Sequence, residues 1–125
     1  MKKKIFKIAI VGLGNIGSYL YNFLNKNIEN LSNKNNIKYQ ISYISAKNKK
    51  KFRNIKFKKK QWVKNCLEIV KKNDVDIIIE LIGGSEGIAK KLVFSALKNR
   101  KHVVTANKAL ISKYGDELSK LAEKN

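Results

Sequence analysis

The stretch Ile8-Ala9-Ile10-Val11-Gly12-Leu13-Gly14-Asn15-Ile16-Gly17 decides the fold of this chain. An apolar run over residues 5–11, interrupted only by Lys7, passes directly into three glycines spaced G-x-G-x-x-G. The spacing alone is weak. At the end of a buried strand and the start of an amphipathic helix, it is the fingerprint of a dinucleotide-binding turn. Gly12 permits the tight turn. Gly14 lets a pyrophosphate approach the backbone, and Gly17 lets the helix pack close to the strand. The free N–H groups and positive dipole end of the helix then face the phosphates. Gly12, Leu13, Gly14, Asn15, Ile16 and Gly17 are therefore the first candidate cofactor-binding residues. The competing reading is a bare tight turn that needs glycine for positive φ. Three glycines in this context favour the fingerprint.

The pattern of strand then helix continues outward from this point. Ile16, Leu20, Phe23 and Leu24 recur at helical spacing and predict a helix over residues 15–26. Residues 27–36, rich in Asn and Ser, read as a loop. Ile37, Tyr39, Ile41 and Tyr43 alternate with polar residues and predict a second strand. A lysine-rich segment follows over residues 47–60, within which residues 55–57 could form a short edge strand. Trp62, Cys66, Ile69 and Val70 mark a second helix ending near Asn73. Residues 75–82 form an apolar strand broken at Asp76 and Glu80, stopped by Gly83-Gly84. Ser85 suits the N-cap of the next helix, with Glu86 in its first turn. That helix carries Ile88, Leu92, Val93, Ala96 and Leu97. Residues 102–105 make a short strand. A last helix shows Leu110, Ile111, Tyr114, Leu118 and Leu121, with Gly115 a point where it could break.

Strands alternating with helices, joined by crossovers longer than a dozen residues, imply an α/β fold with a parallel sheet covered on both faces. The expected strand order is 3-2-1-4-5, with strand one central. At 125 residues and 43% hydrophobic, the chain is one globular domain spanning residues 1–125. Its single Cys66 excludes an internal disulfide and argues against a metal site. Apolar neighbours Ile69 and Val70 make it a packed core thiol, in keeping with a reducing cytoplasm. Lys2-Lys3-Lys4 before an apolar run suggests an export signal. Lys7 and the early glycines argue for a strand instead. No apolar stretch is long enough to span a bilayer.

The net charge of +19 invites a nucleic-acid reading. The choice of base argues against it. Arg53 and Arg100 are the sole arginines, and all other basic residues are lysine. Lysine, asparagine and isoleucine abound and proline is absent, which is the mark of an A/T-rich coding sequence. A nucleic-acid surface more often uses arginine for phosphates and base edges.

Ligands of such sheets bind beyond the carboxyl ends of the strands. Four loops lie there: residues 12–17, 45–51, 80–86 and 105–108. The second carries Ser45-Ala46-Lys47-Asn48-Lys49, with no carboxylate to bond ribose hydroxyls or repel a 2′-phosphate. Lys47 could attract that phosphate, so NADP(H) is favoured and NAD(H) possible. An equally weighted alternative leaves these lysines in a solvated run. The third loop, with Gly83, could line the cofactor from the side. Its plainer reading is a helix cap, with Glu80 paired to a nearby lysine. The fourth places Asn107-Lys108 directly after a buried strand. A cation there can stabilise negative charge on a carbonyl oxygen. Spacing alone favours an Asn107 cap followed by a surface lysine.

Together, Gly-Leu-Gly-Asn-Ile-Gly, the stretch from Asp76 to Gly87 and the stretch from Lys101 to Ser112 resemble homoserine dehydrogenase, in its bacterial amino-terminal nucleotide-binding domain. The resemblance covers essentially the whole chain. It implies a Rossmann-type domain of an oxidoreductase that reduces L-aspartate 4-semialdehyde to L-homoserine with NADPH or NADH, toward threonine, methionine and isoleucine. It also implies that Lys108 lies at the junction of cofactor and substrate as the catalytic residue, and that Lys47 meets the adenosine phosphate. Complete members continue into a substrate-binding and dimerisation region, with a second essential lysine and the last sheet strand. That region is absent from these 125 residues, so the chain is expected to be a fragment, inactive alone and oligomeric only with that region. A stand-alone dinucleotide sensor is the alternative, and a basic nucleic-acid binder is the third hypothesis.

Overall fold

In the computed structural model, residues 4–47 and 55–125 are described. Strand β1 (Lys4–Val11) leads through the glycine turn into helix α1 (Asn15–Asn35), and β2 (Ile37–Ser45) follows at once. Two short 3-10 helices, Lys59–Gln61 and Cys66–Lys71, precede β3 (Ile77–Glu80). Helix α2 (Ile88–Lys98), strand β4 (His102–Thr105) and helix α3 (Lys108–Lys124) complete the order. The four strands form one sheet in the order β2-β1-β3-β4. Every pairing is parallel. β1 is therefore internal, as the glycine fingerprint requires.

Helices pack on both faces of the sheet because β1 and β3 are apolar on both, while Val104 of β4 stays exposed. Ile8 and Ile10 pack with Leu13, Tyr21, Ile41 and Ile44 beneath α1. Ala9 and Val11 face the other way, with Cys66, Ile69, Ile78, Leu92 and Ala96. Val93, Leu110 and Leu118 join α2 to α3. Burial pushes the Cys66 thiol pKa up, as befits a packed core thiol. No helix among the described residues is long and apolar enough to cross a membrane.

Six local expectations are corrected. Helix α1 does not stop near residue 26. It runs on to Asn35 and ends where Asn36 adopts left-handed backbone (φ 54) and its N–H bonds to Ser32. Ile28 packs on the core and prolongs the helical face through the polar stretch.

Strand β2 does not keep simple alternation. Ile8 pairs with Ile41 but Ala9 with Tyr43, which leaves Ser42 as an extra residue. Tyr43 consequently packs on the face opposite Ile41, and Ile44 takes the place beneath α1.

Residues 55–57 form no strand, although Ile55 is buried. The carbonyl of Lys56 accepts from the Tyr21 hydroxyl (3.0 Å), and the Gln61 amide donates to the carbonyl of Ile41 (3.0 Å). These side chains occupy the bonds an edge strand would make. A parallel bridge, Ile44 with Trp62, stands beside β2 instead. That bridge also shortens the next helix. Val63 N–H donates to the Ile44 carbonyl (2.9 Å), so the second 3-10 helix starts only after Asn65, whose side chain accepts from Leu67 N–H.

Finally, Ser85 does not cap α2. Gly87, at φ 80, occupies that position. Gly115 does not interrupt α3.

Candidate dinucleotide-binding site

The parallel pairing brings the carboxyl ends of all four strands to one side of the sheet. Hydrogen bonds stitch the loops there. Gly12 N–H donates to the Ser45 carbonyl at the end of β2 (2.8 Å), and Leu81 N–H donates to Val11 (2.8 Å). The glycine turn therefore sits between the loop after β2 and the loop after β3.

Two of its glycines are consumed by packing. Gly12 has φ +100, and a Cβ there would lie 2.7 Å from the Leu81 backbone. A Cβ on Gly17 would lie 1.9 Å from the Gly12 carbonyl oxygen. No side chain can exist at that position while the turn keeps its shape. Gly14 is different: a Cβ there would meet nothing within 4 Å. Its surroundings leave the backbone approachable, so its glycine is unexplained by packing and fits a ligand's approach. Gly14 is also the N-cap of α1, with no side-chain capping bond and no acidic residue in the first turn. Such a helix start presents unsatisfied N–H groups and positive potential to an anion. Asn15 and Ile16 are exposed beside it, whereas the Leu13 side chain is buried in the core and offers only its backbone.

Lys47 is exposed just past β2, on the Ser45 side of the turn. Asn48 and Lys49 lie outside the described residues.

The loops after β3 and β4 are joined through Glu80, which is fully buried. Its carboxylate accepts from the N–H groups of Ile82 (2.7 Å) and Gly83 (3.1 Å), and from the Thr105 hydroxyl (2.6 Å). Thr105 Oγ1 in turn accepts from Asn107 N–H (3.0 Å). The Asn107 side chain donates to the Gly84 carbonyl (2.5 Å) and accepts from Leu110 N–H (3.0 Å). Asn107 is thus the cap of α3 and also the bridge to the loop after β3. Lys108 opens α3, exposed and, among the described residues, unpaired.

The family model described as homoserine dehydrogenase, NAD binding domain, matches residues 12–125. The chain belongs to this family. Homoserine dehydrogenase of Neisseria gonorrhoeae is 40% identical over 121 residues, which are 97% of this chain and 27% of that protein. The crystal structure of a homoserine dehydrogenase from Thiobacillus denitrificans is 31% identical with a TM-score of 0.86, over 98% of this chain and 28% of that one. A hyperthermophilic archaeal homoserine dehydrogenase, solved in complex with NADPH, shares the fold at a TM-score of 0.76 and 22% identity, over 97% of this chain and 41% of that one. The chain thus spans little more than a quarter of the Neisseria homoserine dehydrogenase.

The structure brings residues 12–17, Lys47, Gly83 and Lys108 to one end of the sheet. Their backbone and side-chain roles divide as described, with Gly12 and Gly17 shaping the turn and Gly14, Asn15 and Ile16 facing outward. Among the described residues, Glu80 is paired to no lysine. It organises two loops through neutral donors, a role foreshadowed only by a carboxylate in an otherwise apolar strand. Thr105 gave no sequence signal beyond its place at a strand end. Among the described residues, no group of three or more His, Cys, Asp or Glu side chains could hold a metal ion. An open groove of about 690 Å³ lies along the outer edge of β2, lined by residues that include Tyr21, Gln40, Ser42 and Lys58. None of its lining residues belongs to the four loops.

Proposed function

We propose that this chain is the cofactor-binding part of a homoserine dehydrogenase, with NADP(H) preferred over NAD(H) and Lys108 as the catalytic residue. The observation that carries the proposal is the junction at the carboxyl end of the sheet. The open backbone at Gly14 and the capped turn bearing Lys108 are organised on one side of one sheet, in a chain of this family.

The residues divide the work as follows. The start of α1 holds the pyrophosphate through N–H groups and dipole. Lys47 attracts the 2′-phosphate as a point charge. The loop at Gly83 lines the nicotinamide side. When bound, the reduced nicotinamide supplies hydride for reduction of L-aspartate 4-semialdehyde to L-homoserine. Lys108 stabilises negative charge developing on the substrate oxygen and can deliver a proton there. Its position is set by Asn107, which caps α3 and is tied to the loop after β3 through Gly84. Residues that grip the semialdehyde belong to the substrate region implied by the family, so these 125 residues alone are not expected to turn over. A cytoplasmic location and homo-oligomerisation through that region belong to the same proposal.

The test joins this chain to the substrate region of a related homoserine dehydrogenase. Lys108→Ala should lower kcat by about a hundredfold or more, the usual scale of a lost acid or oxyanion partner, and leave NADPH affinity within a few-fold. An unchanged kcat contradicts the assignment of Lys108.

A further inference from the structure

We propose that Glu86 and Tyr114 form a positioning latch that holds the glycine-rich turn after β3 against α3 and thereby shapes the nicotinamide side of the site. The proposal rests on the cofactor reading above and adds residues to it. It starts from what the turn lacks. Residues 83–87 include Gly83, Gly84 and Gly87, all at positive φ. A Cβ at Gly83 or Gly87 would meet nothing within 4 Å. Packing therefore does little to hold this backbone, and glycine brings a large conformational entropy to be lost. Polar links hold it instead.

Among the described residues three hydrogen-bonded links do so, beside the Lys113–Glu86 ion pair, and all reach the segment that carries Lys108. Glu80 binds the first part of the turn and Thr105 together. Asn107 holds Gly84. The third is the latch: the Tyr114 hydroxyl donates to the Glu86 carboxylate. Tyr114 lies on α3, whose first residue is Lys108. The latch is reinforced on both sides. Lys113 pairs with Glu86 at 2.7 Å, and Lys90 at 3.6 Å. Lys90 also donates to the Tyr114 oxygen (3.1 Å) and stands 4.2 Å over its ring. Phe94 packs edge-on against the same ring at 5.9 Å. The Tyr114 ring is thus fixed by α2, and its hydroxyl is aimed at the turn. The first two links fasten the near half of the turn. The latch, together with Lys113, fastens Glu86, next to the Gly87 cap of α2.

Two readouts on the 125-residue chain test the latch. The first needs no ligand. In Tyr114→Phe, backbone amide hydrogen exchange across residues 85–87 should quicken about three- to tenfold, as loss of one hydrogen bond implies, with the thermal midpoint little changed. Unchanged exchange overturns the latch. The second compares NADPH with 2′-phospho-ADP-ribose, which lacks the nicotinamide half. Tyr114→Phe and Glu86→Ala should each weaken NADPH about three- to tenfold, and leave 2′-phospho-ADP-ribose within about twofold. Glu86→Gln keeps an acceptor for Tyr114 and should recover most of the NADPH affinity. Equal loss for both ligands, or loss for neither, overturns the positioning role. If the unaltered chain binds neither ligand, the cofactor reading fails and the positioning role with it, while the exchange result still decides whether the latch exists.

Discussion

The hydroxyl of Thr105 donates to a carboxylate oxygen of Glu80 across 2.6 Å, and this bond ties the carboxyl end of β4 to that of β3. The other Glu80 oxygen accepts two backbone N–H groups, from Ile82 and Gly83. A fully buried carboxylate surrounded by donors is costly to remove, because each donor then loses its partner. Glu80→Ala should destabilise the chain by about 2–4 kcal/mol. Thr105→Val removes one donor and should cost about 1–2 kcal/mol. Urea unfolding measures both. A loss under about 0.5 kcal/mol for Glu80→Ala, the range of ordinary surface changes, contradicts this account of the loops.

Gly17 and Gly14 should respond oppositely to alanine. The Gly17 Cβ would lie 1.9 Å from the Gly12 carbonyl oxygen, so the turn must open. Gly17→Ala should cost at least about 3 kcal/mol or prevent folding. Gly14→Ala meets open space and should change stability by less than about 1 kcal/mol, the scale of a helix-cap change. Thermal unfolding of the two variants separates them. Equal destabilisation contradicts the division between a packing glycine and a ligand-facing one.

Lys47 should matter to one cofactor and not the other. Lys47→Glu should weaken NADPH by roughly tenfold, as a charge reversal beside a phosphate implies, while NADH changes little. Calorimetric titrations with both cofactors read the ratio. Tighter NADH than NADPH binding in the unaltered chain contradicts the phosphate assignment.

Glu86 should stay ionised at pH values where ordinary carboxylates are already protonated. Hydrogen bonds from Lys113, then Tyr114, hold its pKa down to about 2, from an ordinary 4.5. A depressed carboxylate stabilises the fold above its ordinary range, and that contribution is lost as pH falls through about 2. Side-chain carboxyl NMR should place the midpoint near 2, and Lys113→Ala should raise it more than Lys90→Ala does. The group is exposed, so added salt should also raise it. A midpoint near 4.5 in the unaltered chain contradicts the geometry of the cluster.

The α/β class, the parallel sheet and the internal place of β1 were legible from the glycine spacing and the apolar runs around it. Both signals are local and strong. What escaped depended on contacts distant in sequence. The Ser42 bulge breaks an alternation that looks regular at Ile37, Tyr39, Ile41 and Tyr43. The edge beside β2 is decided by bonds from Tyr21 and Gln61, which no strand propensity at residues 55–57 reveals. Helix α1 runs past residue 26 because Ile28 still faces the core, although its neighbours read as loop. At the site, Lys108 and the glycines were visible as motif positions. The joining role of Glu80 was not, because its donors are mainly backbone groups and a hydroxyl 25 residues away. Tyr114 read only as part of a helix face, yet its hydroxyl points at Glu86.

The most direct measurement of the central claim is calorimetric titration of NADPH into the folded chain and into Gly14→Ala. The unaltered chain should bind one NADPH, and Gly14→Ala should lose at least about tenfold in affinity, or 1.4 kcal/mol, with its fold intact. Absence of binding to the unaltered chain, or equal affinity in Gly14→Ala, would contradict a dinucleotide site at the start of α1.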